Sequence, residues 1–193
     1  MNEPITLQEP KLLPGDLAIW FFIFMELLVF AIAFIAYAVT RAQNVALFNE
    51  YQLTLNKESG AVNTLLLITS SYFVIRAVHA IKLDRVKACI TNLNIALGFG
   101  AGFLLLKSLE YYDKFSAGIT LSTNTFYMFY LSLTMFHFLH VILGMIILFA
   151  VAFKAKRGHY SAYNHYGVET GASYWHMVDL VWIILFPLVY IIR

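Results

Sequence analysis

Long runs of apolar residues, separated by short polar stretches, dominate the chain. Five of these runs reach the roughly 20 residues that a helix needs to cross the hydrocarbon core of a bilayer. Inside a bilayer the backbone must satisfy its own hydrogen bonds, and these runs lack the alternating pattern of barrel strands. The pattern therefore predicts an all-α integral membrane protein, a bundle of five transmembrane helices. The runs are residues 17–39, 62–81, 88–109, 125–153 and 172–192.

The polar flanks of these runs indicate how the bundle is connected. Residues 1–16 contain acids and prolines rather than the basic start of a signal peptide, so we expect a tail attached to one domain, residues 17–193. The short connection Lys82–Lys87 predicts an antiparallel hairpin of the second and third helices. Pro187 lies inside the fifth run and is expected to kink it near residue 183.

Basic residues in the flanks favour one orientation of the bundle. The side that holds the N-terminal tail collects seven of them, and the opposite side collects four. The positive-inside rule then predicts a cytoplasmic N-terminus and a periplasmic C-terminus. The seven are Lys11, Lys82, Arg85, Lys87, Lys154, Lys156 and Arg157, and the four are Arg41, Lys57, Lys114 and Arg193.

Composition narrows the function classes. Charged residues make up 12% of the chain, whereas a globular protein has about 25%. A net charge of +2 without a basic stripe argues against nucleic acid as a partner. Cys89 is the single cysteine, which excludes an internal disulfide and a multi-cysteine metal site. No nucleophile, paired-carboxylate or zinc-protease pattern is present, so we expect no catalytic site and no metal site in this chain.

Glu26 is the single charged residue in the first run, about 13 Å along the helix from Leu17 and thus near the bilayer midplane. A carboxylate there is costly unless it is protonated, paired or turned into the protein. His137 and His140 share a helix face with Gly144, a small residue that allows another helix to approach closely. That face should be buried, and His140 is the expected partner of Glu26.

Other polar residues in the runs admit two interpretations. His176 and Asp179 are also three apart, so Asp179 is expected to orient His176 or to cap a polar cluster. Such groups either hold helices together through hydrogen bonds or carry protons. Arg76 and His79 lie near the end of the second run, where they either snorkel to the surface or contact a lipid phosphate. Glu110 is expected at a solvated helix end.

Two further functions stay open at this point. Histidines on two helices, His137 or His140 with His176, could ligate a haem, which would make the chain an integral membrane haem carrier. A small proton-coupled transporter could use Glu26 instead, although the helix pairs broken by glycine or proline that mark many transporter sites are missing.

Several segments resemble subunit III of the haem–copper oxidases. They are WFFIFMELLVF (Trp20–Phe30), LKSLEYYDKF (Leu106–Phe115), FHFLHVILG (Phe136–Gly144) and the stretch Asn164–Tyr190 with YWHMVD at its centre. The resemblance runs from about Gly15 to the end, and it begins where that family's third helix begins. This five-helix form is similar to subunit III of bacterial quinol oxidases and to the NorE-type protein associated with nitric oxide reductase, the branch that we favour. Phe138 replaces the family's glycine between the two histidines, which indicates a divergent branch.

The resemblance implies a non-catalytic subunit in a bacterial inner membrane that belongs to an oxidoreductase complex of respiratory electron transport. Its partners would be membrane lipids and a catalytic subunit that carries haem with copper or non-haem iron, while this chain holds no cofactor except bound phospholipid. Its work would be stabilising that subunit and supporting proton uptake. In this likeness Glu26 corresponds to the family's buried acid and His137 and His140 to its paired histidines. Glu110, His176 and Asp179 match its other characteristic polar positions, so the resemblance implies that they too are buried polar partners.

Overall fold

A computed structural model describes residues 17–192 of the chain, and every regular element in that range is a helix. Five of the helices are long and apolar enough to cross a membrane, which confirms the predicted all-α fold with five spans. The tail, including Lys11, and Arg193 lie outside the described residues, and the orientation of the termini stays a prediction. The helices are α1 (Leu17–Gln43), α2 (Val45–Gln52), α3 (Lys57–Lys82), α4 (Val86–Ser116), α5 (Thr125–Lys156) and α6 (Tyr166–Phe186).

Polar side chains cap the first turns of α3 and α5, and the cap of α3 lies well before the apolar run. The side-chain oxygen of Asn56 accepts the N–H of Ser59 at 3.0 Å, so α3 begins at Lys57 rather than near residue 62. Asn124 caps α5 with its oxygen 2.8 Å from the N–H of Tyr127, and this helix begins at Thr125, where the apolar run also begins. Such caps satisfy the free N–H groups of a first helical turn, including turns that extend past the apolar run.

The predicted hairpin of α3 and α4 is present, and its turn places Asp84 at φ 56°. Aspartate tolerates this left-handed conformation better than most residues do. Its carboxylate accepts the N–H of Ala162 at 3.1 Å, which ties the hairpin turn to the loop between α5 and α6. We call this end of the bundle the turn side.

The expected close helix approach at Gly144 is made by Trp175 of α6, which is fully buried. A Cβ atom on Gly144 would lie 2.8 Å from the Trp175 indole, and one on Gly100 of α4 would lie 2.9 Å from it. Because real Cβ contacts are longer than this, both positions need glycine. The indole therefore sits between two glycines and fixes α6 against α4 and α5.

Helix α1 packs through a narrow seam. Its buried residues are Ile23, Phe30 and Tyr37, seven apart, whereas most of its other large apolar side chains are exposed. A seven-residue spacing places one stripe of a helix against its neighbours. The Tyr37 ring contacts Phe48 of α2 at 5.4 Å between centroids. Helix α2, which the apolar pattern did not predict, thereby covers one end of the bundle.

The chain changes from α-helix to π-helix at Pro187. Helix α6 continues to Phe186, and Pro187–Ile191 then form a π-helix, so the proline marks the change from α to π geometry, and the kink near residue 183 stays a prediction. The buried side-chain amide of Gln52 donates to the carbonyls of Val189 and Ile192, each at 3.0 Å. These bonds satisfy carbonyls at the end of the helix, which would otherwise be costly inside a membrane protein.

Candidate functional site

Glu26 and His140 form a polar pair between α1 and α5. Glu26 Oε2 lies 3.0 Å from His140 Nε2, which is the contact expected from the sequence. His140 Nδ1 lies 2.8 Å from the Phe136 carbonyl, and a carbonyl can only accept, so the network assigns a proton to Nδ1. The remaining contact then holds one proton shared between Nε2 and Oε2. The contact joins α1 to α5.

Most of the surface of this pair is buried, but part of each side chain remains exposed. The side chain of His140 is 10% exposed and that of Glu26 is 20% exposed. The rings of Phe136 and Phe30 meet the imidazole edge-on, with centroids 4.6 and 5.2 Å away. The carboxylate thus lies near the outer surface of the bundle, where a neighbouring protein could reach it.

His137 shares the helix face of His140 but has a different environment. It is fully buried, with its ring centroid 5.1 Å from that of Trp182 and 5.8 Å from that of Phe103. Among the described residues neither ring nitrogen has a hydrogen-bond partner. Aromatic rings occupy the space beside this imidazole, and both nitrogens of His140 are already engaged. These contacts do not favour a haem between the helices.

His176 and Asp179 are not joined by a hydrogen bond in the part of the chain that the structure describes. Asp179 is buried, with one oxygen unpartnered within residues 17–192, whereas His176 is half-buried in a groove between α3 and α6. Arg76 and His79 are exposed on α3 near the turn side, and the Arg76 guanidinium lies 5.9 Å from the Tyr72 ring. Within residues 17–192 no three metal-ligating side chains come together.

A second polar centre joins α4 to the C-terminal π-helix, and the sequence reading missed it. Lys107 is fully buried and its Nζ lies 3.1 Å from Glu110 Oε2. The hydroxyl of Tyr190 donates to Glu110 Oε1 at 2.7 Å, and the hydroxyl of Tyr130 donates to the same oxygen. The solvated helix end expected for Glu110 from its position in the apolar run is therefore wrong, because aromatic side chains from α5 and the π-helix cover it. Its burial agrees instead with the buried polar position that the resemblance implies.

Aromatic rings enclose the Lys107 ammonium. It lies 5.0 Å from the ring centroid of Tyr130 and 5.2 Å from that of Tyr190. Tyr111 and Trp182 lie at 5.1 and 5.7 Å. Ring faces attract a desolvated cation, so the cage and Glu110 together stabilise a charge that burial alone would exclude. The lysine and glutamate three apart were visible in the sequence, but the tyrosines come from two other helices.

Comparison with known proteins identifies the family. The family model described as cytochrome c oxidase subunit III matches residues 15–193. The chain belongs to the cytochrome c oxidase subunit III family. Both polar pairs therefore lie within the matched residues. The predicted membership of the NorE-type branch is not confirmed by these matches and stays a prediction.

Several members of the subunit III family are similar over much of the chain. The cytochrome c oxidase subunit 3 of Thermostichus vulcanus is 39% identical over 132 residues, 68% of this chain and 64% of that protein. The one of Synechocystis is 34% identical over 172 residues, 89% of this chain and 72% of that protein. A probable cytochrome c oxidase subunit 3 of Rickettsia bellii is 41% identical over 135 residues, 67% of this chain and 47% of that protein. The matched part thus spans as little as about half the length of such relatives.

Proposed function

We propose that the chain is a non-catalytic subunit of a respiratory haem–copper oxidase or nitric oxide reductase in a bacterial inner membrane. It packs beside the catalytic subunit, which carries the haem together with copper or non-haem iron. Membership of the subunit III family and five apolar helices support this role. The chain contributes no catalytic group of its own to the oxidoreductase complex. Its contribution is to the stability of the catalytic subunit and to proton uptake.

The observation that carries the proton role is the contact between Glu26 and His140. A single proton shared by Oε2 and Nε2, 3.0 Å apart, can be taken up or released with little change in geometry. The side chain of Glu26 is 20% exposed at the surface of the bundle, so a partner subunit docked there could reach it. The pair then acts as a local proton store beside the partner's own uptake path.

The matched variants Glu26→Gln and Glu50→Gln test this role. The first substitution keeps the size of the side chain and its ability to hydrogen bond but removes the acidic carboxyl group, whereas Glu50 is an exposed acid on α2. In the purified complex we expect Glu26→Gln to slow proton uptake and to shorten the turnover lifetime, with Glu50→Gln unchanged. Equal rates and lifetimes in both variants would refute the proposal. A Soret band from the isolated chain, or solute flux in vesicles without other subunits, would favour the haem carrier or the transporter.

Lipid contact forms the second part of the proposal. Arg76 and His79 are exposed near the turn side, at the end of a membrane-spanning helix, and there we place the phosphates of the adjoining leaflet. The Arg76 guanidinium rests against the Tyr72 ring, a position from which it can reach a headgroup.

A further inference from the structure

A groove of about 340 Å³ opens to the membrane between α3 and α6 at the turn side. Lys82 ends α3 and Glu169 lies in the first turn of α6, so these two residues mark its mouth. Ile75 and His176 are each seven residues deeper, so the groove extends about 10 Å from the mouth towards the bilayer interior. This length is enough to reach from the headgroup of a lipid to the first carbons of its acyl chains.

We infer that this groove binds one anionic glycerophospholipid of the adjoining leaflet, with its phosphate at Lys82 and His79 and its ester groups at Ser173 and His176. The inference deepens the lipid contact proposed above and rests on it. It shifts the site away from Arg76, which does not line the groove.

The mouth of the groove provides donors for a phosphate. Lys82 Nζ lies 2.7 Å from Glu169 Oε1, and its side chain is still 48% exposed. An ammonium has three N–H donors, so Glu169 fixes its position and leaves others free for a ligand. His79 is exposed one turn deeper on the same wall and can donate a further N–H to a phosphate oxygen.

The deeper part of the groove matches the glycerol backbone of a lipid and the start of its acyl chains. Val78, Ile75 and Ala172 supply apolar walls, while Ser173 and His176 add a hydroxyl and a ring N–H. Ester carbonyls are acceptors, so donors at this depth match the glycerol backbone of a lipid. Apolar walls beyond them match the first methylene groups of an acyl chain.

Charge around the mouth favours an anionic headgroup. The two segments at the turn side, residues 82–87 and 154–169, together contain six lysine and arginine residues but only two acids, Asp84 and Glu169. Each basic residue near a membrane surface attracts anionic lipid by about 1 kcal/mol. A zwitterionic lipid would gain little from this excess. The positive turn side therefore concentrates the lipid class that the groove would hold.

Native mass spectrometry of the full chain, with any subunits that accompany it, tests this site. The protein is equilibrated with mixed phosphatidylglycerol and phosphatidylethanolamine vesicles, extracted in mild detergent and analysed for retained lipid. We expect one retained phosphatidylglycerol per chain and about fivefold lower occupancy in Lys82→Gln, since losing one basic contact costs about 1 kcal/mol. Lys87→Gln is the matched control, because Lys87 lies on the same side outside the groove. Ser173→Leu narrows the groove without changing charge and should also lose the lipid.

Equal losses in Lys82→Gln and Lys87→Gln would show diffuse attraction and overturn the site, as would full retention in Ser173→Leu. Displacement of the lipid by excess inorganic phosphate would also contradict it, because it would mean that the groove recognises a free anion. Equal retention of phosphatidylethanolamine would contradict the charge preference. None of these outcomes depends on which catalytic subunit the chain accompanies, so the site can fail while the proposed function stands.

Discussion

Replacing Glu110 by glutamine should destabilise the bundle far more than an ordinary surface substitution. Glutamine keeps the shape of the side chain and an acceptor for the tyrosine hydroxyls, so the change removes mainly one negative charge. The Lys107 ammonium, fully buried and 3.1 Å from that carboxylate, is then left without a counter-ion. Breaking a buried ion pair by removing one partner costs about 3–5 kcal/mol. Solvent screening does not reduce this figure, because the ammonium has no exposed surface.

Thermal unfolding in detergent, followed by circular dichroism, measures this effect. A loss of this size lowers the midpoint by roughly 6–20 °C, taking 2–4 °C for each kcal/mol in a chain of this length. The double variant Lys107→Met with Glu110→Gln removes the stranded charge and should recover part of the loss. Glu50→Gln, on the exposed surface of α2, should stay within about 0.5 kcal/mol of the unmodified chain.

The result that would refute this reasoning is a Glu110→Gln midpoint equal to that of Glu50→Gln. Such a result would mean that the aromatic cage alone stabilises the ammonium of Lys107. A double variant less stable than Glu110→Gln would also contradict it, because the buried charge would then not be the source of the loss.

Two other substitutions test the packing of α6 and of the chain end. Gly144→Ala places a methyl group 2.8 Å from the Trp175 indole, so it should cost about 1–3 kcal/mol in the same unfolding assay. Gly98→Ala, with no atom within 4 Å of the new methyl group, should cost nothing, and equal effects of the two would argue against the close approach. Gln52→Leu removes two hydrogen bonds to the carbonyls of Val189 and Ile192 and should cost about 1–3 kcal/mol. Hydrogen exchange in residues 187–192 should then become faster, and unchanged exchange would contradict the clamp.

The fold could be predicted because membrane insertion leaves a strong signal in a single sequence. An apolar run long enough to span the bilayer determines that a helix exists and roughly where it lies. Helix ends could not be predicted so well, because caps such as Asn56 lie in polar flanks outside the apolar signal. Helix α2 has only eight residues, too short for such a run, and its Phe48 is buried only through contacts with other helices.

The environment of a polar group could likewise be predicted where its own position in the sequence determines it, but not where residues of other helices do. Glu26 could be identified as a paired acid because an unpaired carboxylate near the bilayer midplane costs free energy. His140 was the most suitable partner because it shares a helix face with Gly144, which allows a close helix approach. The buried state of Glu110 could not be deduced in this way, because its position near the end of an apolar run is equally typical of a solvated helix end. Its burial depends on Tyr130 and Tyr190, which only the folded bundle brings to it.

We propose above all that this chain works as part of a haem-bearing respiratory complex. The most direct measurement is affinity isolation of the tagged chain, in mild detergent, from the membranes that naturally contain it, followed by an absorption spectrum and identification of the co-isolated polypeptides. We predict a haem spectrum that accompanies a catalytic subunit in a fixed ratio to the chain. Isolation of the chain with lipid alone, from membranes in which such a subunit is abundant, would contradict the account.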